Sequence, residues 1–161
     1  MTVAYVGVGS NVGERSAFCR AAVQALGELS GVELTGMSSL YETSPLGGPP
    51  QRSFVNLVVR LKTDLDPRGL LEACRIVERR LGREPSDIRW GPRVVDLDIL
   101  LFGEEKVNEP DLEIPHPRIA QRRFVLVPLL EIDPQAADPW GALYADYLDE
   151  AEGKVELLEP F

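Results

Sequence analysis

The chain has 161 residues, with 17 Lys and Arg against 26 Asp and Glu, a net charge of −9, and 44% hydrophobic residues. That length suits one folded domain spanning 1–161 with a real core, and the negative balance argues against a general nucleic-acid binder. No apolar run nears the ~20 residues of a membrane span, and residues 1–5 lack the basic start of a signal peptide, so a cytoplasmic protein without membrane attachment is expected.

In chain order, residues 3–8 form a short apolar strand. Phe18, Ala21, Ala22, Ala25, Leu26 and Leu29 then recur at helical spacing, with Gly31 placed to stop the helix. Residues 32–43 read as one strand, 44–50 as a loop rich in Pro and Gly, and 54–65 as a third strand. Asp66 caps and Pro67 opens a second helix with a Leu70, Cys74, Val77, Leu81 stripe, ended by Gly82. A loop from 83 to 93 leads into a strand over 94–102. A turn at 103–105 and a short strand at 106–108 follow, then a helix over 124–132 with Pro128 near its first turn. The order β-α-β-β-α-β predicts a ferredoxin-like α+β fold, an antiparallel sheet with its helices on one face. Residues 133–161 form an acidic tail with one further helix expected around 144–150. From Glu131 to the end, nine Asp and Glu face a single Lys. Cys19 and Cys74 fall on the two helices without metal-type spacing, and are expected to be small buried hydrophobes.

The strand at 94–102 carries the strongest chemical signal. Alternation points Val95, Leu97, Ile99 and Leu101 to one face and Asp96 and Asp98 to the other, their Cβ atoms ~6.5–7 Å apart. Asp is depleted in strands, and a carboxylate pair at this spacing suits one or two hard cations in a phosphoryl-transfer site. Fourteen of the 17 basic residues are arginine, and nine of those lie between Arg75 and Arg123. The planar guanidinium suits a polyphosphate ligand, although Arg79 and Arg80 read as helix-surface charges. His116, the single histidine, is aimed by flanking prolines and followed by Arg118, Arg122 and Arg123, which favours a phosphate-facing donor. Gly7-Val8-Gly9-Ser10-Asn11-Val12-Gly13 lacks the third glycine of a dinucleotide fingerprint and has no P-loop lysine. It reads as a tight turn lining a ligand cavity. Phe54 shares a face with Asn56, and the residues alone leave Phe54 and Phe124 as core. Trp90, between arginines and beside Gly91-Pro92, is an improbable core residue, placed to shut over a flat ligand.

Taken together, Arg-Trp-Gly-Pro-Arg-x-x-Asp-Leu-Asp-Ile-Leu-Leu-Phe-Gly at 89–103, Pro-His-Pro-Arg at 115–118 and Arg-Phe-Val-Leu-x-Pro-Leu at 123–129 closely resemble the 6-hydroxymethyl-7,8-dihydropterin pyrophosphokinase family of folate biosynthesis. Gly9-Ser10-Asn11, Tyr-Glu-Thr-Ser-Pro-Leu-Gly at 41–47 and Phe54-x-Asn56 are similar to it too. The likeness runs from Val3 to about Ile132. It implies transfer of pyrophosphate from ATP to the pterin hydroxymethyl oxygen, leaving AMP; separately, a monomer that binds neither nucleic acid nor membrane is expected. The likeness further implies two Mg²⁺ ions on Asp96 and Asp98, with Arg83 and Arg93 joining them in catalysis. ATP would meet Arg75, Glu78, Arg83, Trp90, Arg93, Ile99, His116 and Arg122. The pterin would meet Gly9, Thr43, Ser44, Leu46, Phe54, Asn56, Trp90 and Phe124. Pro85 and Ser86 depart from the basic residues that many relatives carry in that loop. Two rival readings are a phosphotransferase using His116 as a covalent carrier, which would release ADP, and a non-catalytic ferredoxin-like module that binds a small ligand.

Overall fold

A computed structural model of the chain describes residues 1–44, 52–82 and 94–161. Strand β1 (Thr2–Ser10) lies between β4 (Phe54–Thr63) and β5 (Asp96–Phe102), antiparallel to both. Strands β2 (Val32–Met37) and β3 (Leu40–Thr43) both pair with β4, and β8 (Val155–Glu159) extends the sheet beyond β3. A separate hairpin joins β6 (Val107–Glu109) to β7 (Leu112–Ile114). The order β5-β1-β4-β2/β3 is that of the ferredoxin-like α+β topology.

The strand expected over 32–43 is broken at Ser38. Its hydroxyl donates to the Ser39 carbonyl at 2.8 Å and accepts the Val58 N–H at 2.9 Å, replacing a ladder carbonyl. Helices α1 (Arg15–Gly27) and α2 (Pro67–Gly82) cover one face of the sheet, where Val6, Val8, Leu57, Val59, Leu97 and Ile99 meet Cys19, Leu26, Leu70 and Cys74. Both cysteines are buried there as free thiols. Asp66 caps α2 as expected, its Oδ1 accepting the Gly69 N–H at 2.7 Å.

Four expectations need correction. The helices are not confined to one face: α3 (Arg123–Ile132) packs on the other, over Tyr5, Val58, Leu100 and Leu101. The alternation in β5 fails at its end. Val6 pairs with Ile99 but Tyr5 with Leu101, so Leu100 is an extra residue. The bulge turns Leu100 and Leu101 both toward α3 and returns Phe102 to the α1/α2 face. The acidic tail holds only a 3₁₀ turn at Tyr144–Tyr147, then β8. Its Ala136, Tyr144 and Ala151 complete the second core. Pro128 lies past the first turn of α3 and supplies no N–H to the Phe124 carbonyl. No described helix is long and apolar enough to cross a membrane.

Candidate active site

The α3 face of the sheet carries two cross-strand rows. In one, Asp96 stands opposite Gly9 and Gly9 opposite Asn56; in the next, Asp98 stands opposite Gly7 and Gly7 opposite Val58. Because β1 offers only glycine hydrogens along this stretch, no side chain rises between the carboxylates of β5 and the amide of β4. The result is a cavity of about 290 Å³. A Cβ on Gly9 would collide with Asn56 Oδ1, whereas one on Gly7 would make ordinary contact with Leu100 at 3.6 Å.

Two walls rise from this floor. Buried Thr43 accepts the Asn56 amide N–H on Oγ1 at 2.6 Å, which fixes how Asn56 presents its edge. Phe54, paired with Thr43 across β3 and β4, stands on the same side. The opposite wall is the start of α3, where Arg122 precedes the helix and lays its guanidinium 5.4 Å from the centre of the Phe124 ring. His116 closes the end beside Asp98. Its main-chain N–H donates to the Leu100 carbonyl at 2.9 Å, and its ring Nδ1 accepts the Arg118 main-chain N–H at 3.2 Å. With Nδ1 accepting, the neutral ring carries its proton on Nε2. Burial pushes the His116 imidazole below its usual range; Arg122 and Arg118 add to this and Asp98 opposes it. Burial likewise lowers Arg122, reinforced by Arg118 and opposed by Asp98. One carboxylate, a neutral imidazole donor and a guanidinium therefore face one another.

Of the residues singled out in the sequence, Gly9, Thr43, Ser44, Phe54, Asn56, Asp96, Asp98, His116, Arg122 and Phe124 all line this cavity. Phe54 and Phe124 are half-buried wall residues and not core, because the glycine rows leave nothing to cover them. Arg75, Glu78 and Ile99 do not line it. Ile99 turns its side chain into the α1/α2 core, and Arg75 is exposed on α2. Glu78 accepts the Leu97 N–H at 3.0 Å and so ties α2 to β5 between the two aspartates. Leu46, Arg83, Trp90 and Arg93 lie outside the described residues, as do Pro85 and Ser86.

Gly7 and Val8, expected in a tight turn lining a ligand cavity, do line it, but from within strand β1 and not from a turn. Leu57, Val58, Leu100 and Val125 were not foreseen as lining residues, Leu100 because the bulge hides it. Also missed was Arg15, which bonds Glu42 Oε2 and the Ser53 carbonyl, both at 2.9 Å. This guanidinium joins the end of β3 to the start of β4 behind Thr43 and Phe54.

Among the described residues, no three or more His, Cys, Asp or Glu side chains converge as a metal cage. Two strand carboxylates beside cationic and neutral donors instead suit Mg²⁺ that completes its shell with phosphate oxygens and water.

Known proteins resemble this chain over most of its length. The family model described as 7,8-dihydro-6-hydroxymethylpterin-pyrophosphokinase matches residues 5–134. A Bacillus subtilis (strain 168) protein named 2-amino-4-hydroxy-6-hydroxymethyldihydropteridine pyrophosphokinase is 47% identical over 130 residues, 81% of this chain and 77% of that protein. An Aquifex aeolicus protein of the same name is 37% identical over 161 residues, covering 100% of this chain and 96% of that one, so the likeness extends through the acidic tail. The fold is also that of a Plasmodium falciparum HPPK-DHPS crystal structure, with a TM-score of 0.72 at 15% identity over 92% of this chain. This chain spans only 42% of that polypeptide.

Proposed function

Because the chain belongs to the 7,8-dihydro-6-hydroxymethylpterin-pyrophosphokinase family, we propose that it transfers pyrophosphate from ATP to the hydroxymethyl oxygen of 6-hydroxymethyl-7,8-dihydropterin, releasing AMP. The observation that carries this reading is one cavity with a carboxylate pair at one end and two aromatic walls around a fixed amide at the other. Phosphoryl transfer asks the protein mainly for alignment and charge neutralisation, and the two ends divide that work.

Asp96 and Asp98 would hold two Mg²⁺ ions together with ATP oxygens; when bound, these ions neutralise charge developing on the phosphates. His116 donates through Nε2 and Arg122 through its guanidinium, giving the phosphates one neutral and one charged partner. Phe54 and Phe124 take the faces of the pterin, while Asn56, held by Thr43, meets its edge. Arg83, Arg93, Trp90 and Leu46 are proposed to complete the site. Arg75 and Glu78 are proposed to stand near the nucleotide, with Ile99 contributing through its main chain.

A covalent phosphohistidine is disfavoured by the same geometry, because the Arg118 N–H occupies Nδ1 and leaves Nε2 protonated. The test is incubation with Mg-ATP and the hydroxymethyl-dihydropterin, resolving the nucleotide product. AMP formed only when the pterin is present supports the reading, and ADP overturns it.

A further inference from the structure

The acidic tail, for which the proposed chemistry has no use, touches both walls of the cavity within a few residues. On the β3 side, Val155 pairs with Thr43. The Lys154 carbonyl accepts the Ser44 N–H at 3.2 Å, and the Lys154 N–H donates to Ser44 Oγ at 3.2 Å. Thr43 in turn pairs with Phe54. On the α3 side, the Glu152 N–H donates to the Gln121 carbonyl at 3.0 Å, and the Glu152 carbonyl accepts the Arg123 N–H at 2.9 Å. These bonds make a short parallel bridge at Arg122, two residues before Phe124. The Arg123 guanidinium adds two bonds to the Leu148 carbonyl, at 3.3 and 3.2 Å. Only Gly153 separates the two anchors, and its φ of 115° belongs to the region that favours glycine.

We propose that residues 148–155 are a strap that sets the separation of the Phe54 and Phe124 walls, making Gly153 and Arg123 positioning residues for the pterin. This rests on the pyrophosphokinase reading. A ring held between two walls is sensitive to their spacing, and the strap reaches both walls through hydrogen bonds made by its own main chain. At the nucleotide end, Asp98 and His116 make no hydrogen bond to the strap among the described residues, and Arg122 meets it only through the main chain of its neighbours Gln121 and Arg123.

The experiment compares Gly153→Ala with Glu152→Ala and Lys154→Ala, measuring kcat, KM for pterin, KM for ATP and the melting temperature. Misplacing a binding group by about 1 Å can cost on the order of 100-fold, so Gly153→Ala should raise the pterin KM about tenfold or more while leaving the ATP KM within about twofold. Glu152→Ala and Lys154→Ala keep the main-chain anchors and should match the wild type. An unchanged pterin KM in Gly153→Ala overturns the strap. Parallel losses for both substrates that track the melting temperature overturn it too, since they mark a merely structural tail. Should Gly153→Ala not fold, Arg123→Ala, which removes the two bonds holding the Leu148 end of the strap to α3, is judged by the same two criteria. The wild type run alongside separates the two ideas: without pterin-dependent AMP the function itself fails, and with it any failure belongs to the strap.

Discussion

Asp96 and Asp98 owe their common aim to strand periodicity and their clear view to Gly7 and Gly9. Asp96→Asn and Asp98→Asn keep side-chain size while removing one charge each, and folding should survive because two nearby like charges repel in the metal-free chain. The loss should fall on kcat, by about 100-fold, or about 2.7 kcal/mol. Steady-state rates at saturating Mg²⁺, with pterin affinity measured in parallel, check this; normal turnover in both variants would end the two-metal proposal. The glycines give a sharper steric test. Gly9→Ala must push the Asn56 amide aside from its bond to Thr43. Forcing a side chain off its rotamer costs of order 1 kcal/mol, roughly a fivefold loss of pterin affinity. Gly7→Ala meets only Leu100 at ordinary contact distance and should fold as stably as the wild type. Calorimetric titration and thermal melts of the two variants should therefore diverge at the site but not in the fold.

At the level of elements, the cavity depends on α3 crossing the sheet face that the βαββαβ core leaves bare. Glu131 near the end of that helix accepts the Ser39 N–H at 3.1 and 3.0 Å, and the Ser39 hydroxyl at 3.0 Å. It also accepts the Tyr41 hydroxyl, so α3 is clamped to β3 at the end remote from Phe124. Tyr5, reaching from β1, donates to Asp133 at 2.8 Å just after the helix. With its far end held this firmly, α3 should keep its place when Phe124 is truncated. Phe124→Ala should then weaken pterin binding by the stacking energy, about 0.5–1.5 kcal/mol beyond buried area, and weaken ATP binding less. Competition titrations with each ligand check the difference; equal weakening, or a large fall in melting temperature, would mark Phe124 as ordinary core.

For the whole molecule, residues 1–161 are proposed to fold as one unit, since the second core draws Tyr5, Leu100, Leu126 and Leu129 together with Ala136, Tyr144 and Ala151 of the tail. Tyr144 is 4% exposed. Replacing it with alanine should cost about 3 kcal/mol, the usual toll for emptying an aromatic site in a core. A chain ending at Ile132, though it keeps nearly all of the family match, should lose cooperative unfolding because β8 and three core side chains go with the tail. Denaturant melts of both variants test this. A truncated chain with native stability would show the tail to be an appendage.

Much of this protein is legible in one dimension because the signals involved are local. Period-2 alternation placed Asp96 and Asp98 on one face, Asp66 and Pro67 announced a helix start, and the Arg-Trp-Gly-Pro-Arg and Pro-His-Pro-Arg segments carried the family. What needed the tertiary structure is whatever depends on which strands lie side by side. Gly7 and Gly9 open the cavity only because β1 runs between β4 and β5, and Phe54 and Phe124 become walls only because α3 settles on the far face. The bulge at Leu100 is a mismatch between two strands, so no periodicity within one of them reveals it. The tail's place was hidden for the same reason: it is held by main-chain hydrogen bonds at Glu152 and Lys154, which leave no side-chain signature at those two positions.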